Sequence, residues 1–371
     1  MFIFACFFTN GVMTDIKQWF CDSSREHIIV AGPCSAESEE QVMSTATALA
    51  AMPEVKLFRA GVWKPRTRPD SFEGKGEEAL TWLEKVSHAT GMPTLVEVAT
   101  PTHVELCLKY GVSAVWVGAR TVVNPFSVQQ LADALRGTQM PVFVKNPVTP
   151  DLKLWLGAFE RFQKAGLSYL AAIHRGFQHF AQQPYRNYPM WEMAMELTRV
   201  TGLPVITDVS HICGCRDLIA DMAQKAADMA TDGLMIEVHP APDKALSDAR
   251  QQITPAQLKQ LLQNLKWRSK SSIDDSELVG LRAEIDDVDS EMLRLLSHRM
   301  ELSRRIGQLK KQKGITAFQP DRWKKVLSDH IEASKSLNLN EDLVTEVFET
   351  IHKASVEVQT DILGEDFQPQ F

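Results

Sequence analysis

Three positively charged side chains and a hydroxyl fall within nine residues of this sequence. Arg59, Lys64, Arg66 and Thr67 follow a short apolar run, so we expect them where a strand ends and a loop begins. The arginine guanidinium offers a planar pair of donors to phosphate or carboxylate, and lysine offers a compact positive charge. A solvated basic loop would explain an isolated pair of cations, but the same chemistry recurs elsewhere in the chain. The stretch therefore predicts a binding site for anions.

Cationic side chains also follow several other apolar runs in the first part of the chain. A polar loop is common after a strand, but a positive charge at the strand end itself is less so. Together these side chains suit substrates that carry phosphate groups and a carboxylate. The cationic set consists of Arg59, Lys64, Arg66, Arg120, Lys145 and Arg175.

A second set, at the same kind of position, has the chemistry of metal ligands. It consists of Cys34, His211, Glu237 and Asp248. Thiolate and imidazole suit zinc, iron, cobalt or copper, whereas carboxylates suit harder ions such as manganese, so the set leaves the metal open. Each residue alone is better explained by packing or by hydrogen bonds within a loop. Their convergence on one face of the fold would make a site for one divalent metal ion.

An apolar run rich in β-branched residues, followed by an amphipathic helical stretch, recurs between residues 28 and about 266. The eight runs are 28–31, 56–59, 94–98, 114–117, 142–145, 169–173, 205–208 and 234–238. Eight such units predict an α/β fold, the (β/α)₈ or TIM barrel, in which the chemistry gathers at the carboxyl ends of the strands. Glu97 and Asp208 lie at two of these ends. An open, doubly wound sheet is the alternative, but it would carry a glycine-rich fingerprint after its first strand, which this sequence lacks.

Composition narrows the class of protein. The 371 residues exceed one ordinary core, so two domains are expected. The net charge of −7 argues against a nucleic-acid binder. Six cysteines are spread along the chain, which indicates a reducing compartment, and we expect a cytoplasmic protein.

The first eight residues are apolar, but they lack the basic flank and cleavage site of a signal peptide. The native chain starts at either Met1 or Met13. No later stretch is long and apolar enough to span a membrane, so no membrane association is expected.

The pattern changes after Leu265, where a polar, serine-rich stretch resembles a linker. Beyond it, apolar residues recur at three- and four-residue steps, which predicts a long helix over about 276–313 and shorter helices near 321–335 and 341–363. The predicted organisation is an N-terminal extension (1–27), the barrel (28–266), a linker (267–275) and an all-helical, three-helix domain (276–371).

Three cations on the predicted long helix allow a geometric test. Arg299 and Lys310 are 11 residues apart, so they point within about 20° of each other and can approach one small anion. Arg282 lies about 25 Å away along the axis and cannot reach that anion within one chain. If all three bind one ligand, Arg282 must come from a second chain, which predicts a homodimer formed through these helices. Solvated helix charges are the alternative reading.

The barrel region resembles 3-deoxy-D-arabino-heptulosonate 7-phosphate (DAHP) synthase of the short barrel type (type Iβ). A sister synthase, which makes 3-deoxy-manno-octulosonate 8-phosphate, would typically show Lys-Ala-Asn-Arg where this chain has Lys-Pro-Arg-Thr. The matching stretches are Ala-Gly-Pro-Cys34-Ser, Phe-Arg59, Lys64-Pro-Arg66-Thr67, Gly-Ala-Arg120, His-Arg175-Gly, Asp208-Val-Ser-His211, Glu237-Val-His-Pro and Ala-Leu-Ser-Asp248.

This resemblance implies that the barrel condenses phosphoenolpyruvate with erythrose 4-phosphate and releases phosphate. The four predicted metal ligands would hold one divalent ion (Mn, Fe, Co or Zn), which acts as a Lewis acid on the aldehyde. Lys64 and His211 would take part in catalysis, and Glu97 or a bound water would manage protons. Asp208 would line the substrate site. Phosphoenolpyruvate would be bound by Arg59, Lys64, Arg120, Lys145 and Arg175, and the phosphate of erythrose 4-phosphate by Arg66 and Thr67.

The helical region resembles the all-helical chorismate mutases. The matching stretches are Leu-Arg282, His-Arg299, Leu-Lys310 and Ser355-Val-Glu-Val-Gln359. The resemblance implies rearrangement of chorismate to prephenate, a step that needs positioning and charge placement rather than a nucleophile. Arg299 and the Arg282 of a second chain would grip the two carboxylates of chorismate. Lys310 and Gln359 would hydrogen-bond its ether oxygen, with Ser355 in the same site.

One position departs from the mutase pattern. Trp323 follows Asp321-Arg322, where the family often has a glutamate that helps to bind the ring hydroxyl. The alternative to a bifunctional enzyme is therefore a DAHP synthase whose helical tail is catalytically silent and serves dimerisation or regulation.

Two further expectations concern regulation and mechanism. Only about 27 residues precede the first predicted strand, so no separate N-terminal regulatory domain is expected. The helical domain would instead mediate feedback inhibition by prephenate or chorismate. A metal-free aldolase that uses Lys145 as a Schiff-base nucleophile is a remaining alternative, but this lysine lies among many cations suited to simple anion binding.

Overall fold

The computed structural model describes residues 15–21, 27–64, 72–179, 184–229, 231–268 and 276–364. The chain divides into two compact units, Met1–Lys270 and Ser271–Phe371. In the described part of the chain, no helix combines the length and the apolar character needed to cross a membrane.

The first unit is built around a closed barrel of eight parallel strands, in which each strand pairs with the next and the last pairs with the first. This confirms the predicted fold class, and the sequence patterns located the strands to within one residue at each end. The strands are β1 Ile28–Gly32, β2 Val55–Ala60, β3 Thr94–Val98, β4 Ala114–Val117, β5 Val142–Lys145, β6 Leu170–His174, β7 Val205–Asp208 and β8 Gly233–Glu237.

Ten α-helices are described in the first unit, and most of them lie between successive strands and cover the outside of the barrel. Several begin where the sequence supplies a cap: Ser38, Thr100, Asn124, Asp151 and Thr254 each accept a hydrogen bond from a backbone N–H of the first turn. The helices are α1 Asp15–Cys21, α2 Glu39–Ala50, α3 Glu77–Thr90, α4 Pro101–Lys109, α5 Pro125–Leu135, α6 Leu152–Lys164, α7 Trp191–Thr201, α8 Val209–Cys213, α9 Ile219–Asp228 and α10 Pro255–Asn264.

Alternation along each strand divides the core into two layers. Along a strand, every second side chain packs outward against the helices, as Val96 and Val115 do. The side chains between them point into the barrel, as Leu95 and Trp116 do. The interior is therefore filled by large side chains and is not a pore.

Helix α1 packs against the inner layer, near the starts of β5 and β6. Ile16 and Trp19 are buried in the same cluster as the residues that fill the barrel. The ring of Phe20 lies 5.7 Å from that of Phe143 and 5.8 Å from that of Tyr169. The described part of the predicted N-terminal extension thus contributes to the barrel core.

The second unit consists of three helices, α11 Ser276–Lys313, α12 Pro320–Ser336 and α13 Glu341–Gly364. Its 38-residue first helix is about 57 Å long and packs lengthwise on α13. At Gly307 a Cβ atom would lie 3.0 Å from Cδ1 of Ile362 and 3.4 Å from Cγ of Gln359, so glycine permits this close approach. A row of apolar side chains on α11 is exposed within the single chain: Leu278, Leu281, Ile285, Val288, Met292, Leu295, Leu302, Ile306 and Leu309.

Candidate active sites

The described members of both predicted barrel sets lie at or just beyond the carboxyl ends of the strands. Arg59, Lys145 and Asp208 are themselves part of β2, β5 and β7, and Glu237 ends β8. A Cβ atom at Gly32 would lie 2.0 Å from the carbonyl oxygen of Arg59, so only glycine allows β1 to pass this close to β2 beside the site. The predicted contacts of Arg66 and Thr67 lie outside the described residues.

Cys34 contacts a cation and a carboxylate from two different loops. Nζ of Lys64 donates to its Sγ at 2.8 Å, and the thiol donates to Oδ2 of Asp248 at 3.4 Å. Burial, together with the negative charge of Glu237, raises the pKa of Cys34 to about 12. Cys34 is therefore a neutral thiol until a cation displaces its proton. Asp248 stays ionised, because His211, Arg186 and Lys64 outweigh its burial and lower its pKa to about 2.

Glu237 is a fully buried carboxylate held between three groups. Nη2 of Arg59 lies 3.2 Å from its Oε1, and Gln251 donates to its Oε2 at 2.7 Å. Nε2 of His211 lies 3.8 Å from the same Oε1. Burial opposes its ionisation, but His211, Arg59 and Lys64 together lower the pKa of Glu237, so the group carries a negative charge.

Asp208 orients two functional side chains at once. Its Oδ2 pairs with Nζ of Lys145 at 2.9 Å, and its Oδ1 lies 3.0 Å from Nδ1 of His211. Burial alone would raise the pKa of Asp208, but interactions with His211 and Lys145 lower it well below its usual value. Because Nδ1 of His211 faces this carboxylate, its Nε2 is left to face Glu237. The contact also engages Nζ of Lys145 with a buried carboxylate, which disfavours its use as the nucleophile of the Schiff-base alternative.

We tested whether these side chains fit a divalent metal. Among the described residues, no three Cys, His, Asp or Glu side chains are already gathered tightly enough to bind one. However, Oε1 of Glu237 is buried and accepts no hydrogen bond from the described residues, because Nη2 of Arg59, 3.2 Å away, approaches it without hydrogen-bond geometry. Such an atom is expected where an unseen cation binds. The nearby thiol, the imidazole oriented by Asp208 and the carboxylate of Asp248 complete a suitable donor set, so the residues fit the predicted metal.

The indole of Trp116 underlies the cationic residues of the site. The guanidinium carbon of Arg59 lies 4.9 Å from the ring centroid, and Nζ of Lys145 lies 5.6 Å from it. Its Nε1 donates to Oε2 of Glu97 at 3.0 Å. One aromatic side chain therefore positions two predicted anion ligands and the predicted proton-transfer residue.

Two side chains that the sequence reasoning missed lie beside the predicted ones. Arg186 donates to Oδ1 of Asp248 at 3.2 Å and to Oε1 of Gln251 at 2.9 Å. Gln251 in turn holds Glu237. Neither residue ends a strand, so the strand-end rule did not select it.

Arg175 is fixed in a second cationic region of the site. Its Nη1 donates to Oδ1 of Asn187 at 2.8 Å, and its backbone N–H donates to Asn146. Burial lowers its pKa to about 10, and the charges of Arg186 and Arg120 act in the same direction. Arg175 still remains charged near neutral pH, and its positive charge lies near those of Arg186 and Arg120, an arrangement that suits an anion.

In the helical unit, α11 and α13 bring four of the predicted residues together. Arg299 donates from Nη1 to Oγ of Ser355 at 2.5 Å, and Gln359 lies one turn further along α13. Lys310 donates to the carbonyl oxygen of Ala317 at 2.6 Å. Arg282 lies on the exposed first half of α11. The structure thus gathers Arg299, Lys310, Ser355 and Gln359 along two helices, and it does not bring Arg282 to them within one chain.

Trp323 stacks on a histidine of α13. The rings of Trp323 and His352 are 3.9 Å apart and 5° from parallel, and Phe318 lies 5.9 Å from the same imidazole. Sequence reasoning singled out Trp323 but not His352. The signal was available: His352, Ser355 and Gln359 are spaced three and four residues apart, so they share one helix face.

Comparisons with known proteins match both parts of the chain. The sequence model of the DAHP synthetase I family matches residues 18–274, and that of chorismate mutase type II matches residues 281–360. The chain is 31% identical to the phospho-2-dehydro-3-deoxyheptonate aldolase of Thermotoga maritima over 238 residues, which cover 64% of this chain and 68% of that protein. It is also 28% identical over 257 residues to the 2-dehydro-3-deoxyphosphooctonate aldolase of Legionella pneumophila strain Corby, covering 64% and 90%.

Two solved structures are similar to the chain. The crystal structure of the Thermotoga maritima DAHP synthase gives a TM-score of 0.59 at 30% identity and covers 64% of this chain and 68% of that one. A truncated form of the Thermotoga maritima enzyme gives 0.56 at 28% identity, covering 64% and 84%. The chain therefore belongs to the DAHP synthetase I family and carries a chorismate mutase type II domain after its barrel, which makes it a bifunctional enzyme.

Proposed function

We propose that the barrel joins phosphoenolpyruvate to erythrose 4-phosphate in a metal-dependent reaction that forms DAHP. A carbon–carbon bond forms between the methylene carbon of phosphoenolpyruvate and the aldehyde carbon, water is consumed and inorganic phosphate leaves. The observation that carries this proposal is a site in which buried cations lie directly beside a carboxylate–thiol–imidazole set. The cations suit the two phosphorylated substrates, and the second set suits a metal.

Different cations would bind different charged groups of phosphoenolpyruvate. Arg59 and Lys145, held over Trp116, would neutralise one of the two charged groups of phosphoenolpyruvate, which are its phosphate and its carboxylate. Arg175 and Arg120 would bind the other from the side, and Lys64 would bridge the substrate to Cys34. Because Arg59, Lys145 and Arg175 are already oriented by Glu237, Asp208 and Asn187, respectively, little reorganisation of these three is needed on binding.

The metal would be held by Cys34, His211, Glu237 and Asp248. When bound, it would polarise the aldehyde oxygen of erythrose 4-phosphate as a Lewis acid. Asp208 fixes the histidine so that Nε2 is free, and Arg186 and Gln251 orient the two carboxylates. Glu97, held by Trp116, would move a proton near the reacting carbons.

Phosphate release from phosphoenolpyruvate and erythrose 4-phosphate, with and without EDTA, tests this function on the full-length protein. We expect release that EDTA abolishes and that an added divalent metal restores. Release that ignores EDTA would overturn the metal site. Release that requires a five-carbon aldose phosphate in place of erythrose 4-phosphate would favour the activity of the octulosonate relatives.

For the helical domain, we propose that Arg299 binds one carboxylate of chorismate and that Lys310 and Gln359 bind the ether oxygen, with Ser355 orienting Arg299. The second carboxylate would be bound by Arg282 of a second chain. Supporting this, Arg282 is exposed and lies on the half of α11 whose apolar row is also exposed, with Leu281 at 52%, Ile285 at 59% and Leu295 at 63%. A second copy of α11 would cover that row.

We further propose that prephenate or chorismate, bound at the helical domain, inhibits the barrel. The fusion itself supports this proposal. One chain joins a domain that would bind these compounds with a barrel that would make their precursor. Initial rates of phosphate release at rising prephenate concentration test the idea, and unchanged kinetics at saturation would overturn it. A helical domain without turnover of chorismate would favour the silent alternative.

A further inference from the structure

Among the described residues, two polar atoms on one face of α13 have no hydrogen-bond partner. Ser355, on the same face, is engaged by Arg299. Nε2 of His352 and Oε1 of Gln359 are buried, yet neither makes a hydrogen bond within the described residues. A buried polar atom without a partner is costly, so such a pair indicates a place where a ligand completes the hydrogen bonding. A half-turn of the Gln359 amide exchanges Oε1 for the Nε2 donor, which can then donate to an acceptor such as an ether oxygen.

The imidazole of His352 is held rigidly. Trp323 covers one of its faces at 3.9 Å with the rings nearly parallel, and Phe318 lies at 5.9 Å with its ring tilted by 52°. Contacts of this kind fix the plane of the ring and so fix the direction in which Nε2 points. Trp323 and Phe318 therefore position Nε2 of His352.

His352 is also kept neutral beside the site. Burial lowers its pKa, and the positive charges of Arg299 and Lys310 lower it further. His352 lies three residues before Ser355 on α13, and Arg299 contacts Ser355, so the imidazole is near the residues proposed to bind chorismate. A neutral imidazole adds no third positive charge, but it can exchange one hydrogen bond with a neutral group.

Chorismate has a polar group that could form a hydrogen bond with Nε2 of His352. The substrate has two carboxylates, an ether oxygen and one ring hydroxyl, and the proposed function assigns the arginines, Lys310 and Gln359 to the first three. We propose that Nε2 of His352 hydrogen-bonds the ring hydroxyl of chorismate and that Trp323 positions the imidazole for this contact. The inference rests on the proposed mutase site. It gives Trp323, which departs from the mutase pattern, a role in an active enzyme.

A cycle of two changes, one in the protein and one in the substrate, tests the contact in the full-length chain. The protein change is His352→Leu, and the substrate change replaces the ring hydroxyl of chorismate by hydrogen. His330→Leu is the matched control, because His330 also stacks on an aromatic ring of α13, Phe348, at 3.9 Å. His352→Gln retains a donor near the position of Nε2, and Trp323→Phe retains an aromatic face.

We expect the wild-type enzyme to lose about tenfold in kcat/KM when the hydroxyl is removed, and His352→Leu to lose about tenfold on chorismate but little on the deoxy analogue. His352→Gln should recover part of the loss, whereas His330→Leu should behave as the wild type. Equal losses by His352→Leu on both substrates would overturn the inference. Absence of chorismate turnover in the wild type would instead overturn the mutase function on which it rests.

Discussion

Nζ of Lys145 lies 2.9 Å from Oδ2 of Asp208, in an ion pair whose side chains are only 6% and 0% exposed. The pair joins the ends of β5 and β7, and the other oxygen of the same carboxylate orients His211. A buried carboxylate with two such partners cannot be removed without leaving a charge uncompensated.

We expect Asp208→Asn to destabilise the barrel by about 3 kcal/mol, because Lys145 would remain buried without its counter-charge. The midpoint of urea denaturation, followed by circular dichroism, measures this loss. The matched control is Asp133→Asn, which removes an exposed i,i+3 partner of Arg136 and should hardly move the midpoint. Equal shifts for both variants would contradict the role of the buried pair.

The carboxylate of Asp208 should also affect how the free energy of unfolding decreases at acidic pH. Its folded pKa lies well below its usual value, so its contribution is present above the unfolded pKa of about 3.9 and is lost as the pH falls towards the folded pKa. Between pH 5 and 3, Asp208→Asn should therefore lose less stability than the wild type does. Denaturation curves across this range test the difference, and parallel acid limbs would show that Asp208 is not perturbed.

Removal of the thiol should abolish a spectroscopic signature of the metal site. Cobalt(II) bound to the protein through Cys34 should give a near-ultraviolet absorption band from thiolate-to-metal charge transfer. Cys34→Ser should lose this band and bind cobalt at least tenfold more weakly. Cys107→Ser changes another fully buried cysteine, on α4, and should keep the band. A band that survives in Cys34→Ser would exclude this thiol as a ligand.

Mixing two inactive variants tests the shared mutase site. Arg282→Ala and Arg299→Ala should each lack mutase activity. If each site takes one arginine from each chain, a mixed dimer retains one intact site. After denaturation and refolding together in equal amounts, the two variants should recover about a quarter of wild-type activity. No recovery on mixing would indicate that both arginines serve a site within one chain, or none.

Truncation of one aromatic side chain should show the contribution of α1. Trp19 is 7% exposed, contacts the ring of Phe20 and packs against the residues that fill the barrel. Trp19→Ala should cost about 3 kcal/mol of unfolding free energy without changing the affinity for phosphoenolpyruvate. Phe126→Ala removes a side chain that is 83% exposed and should change stability little. A loss of less than about 1 kcal/mol for Trp19→Ala would mean that α1 does not support the core.

The barrel could be predicted because its signal is local and repeated. Strand β5, Val142–Lys145, is an example. Its apolar residues fill the layers of the barrel, and its last residue, Lys145, lies at the carboxyl end of the strand, in the candidate active site. The cations and the carboxylates at strand ends were found by the same rule, and the structure brings them together. The long helix was equally visible, because apolar residues recur on one face over its whole length.

The residues that were missed owe their positions to tertiary packing. Arg186 lies in a loop before α7, and only the folded chain brings its guanidinium to Asp248. His352 gains its significance from stacking on Trp323, which comes from another helix. The packing of α1 also has no strong sequence signal, because its seven residues are too few to show a period.

Trp116 gives this enzyme an internal optical probe. Its buried indole contacts Arg59 and Lys145, the two cations proposed to take an anionic substrate, and donates to Glu97. Anion binding changes the electric field across that ring, so the fluorescence of Trp116 will respond to site occupancy before any bond is made. Comparison with Trp116→Phe isolates this signal from the other tryptophans, and the binding of each substrate can then be followed separately from its conversion.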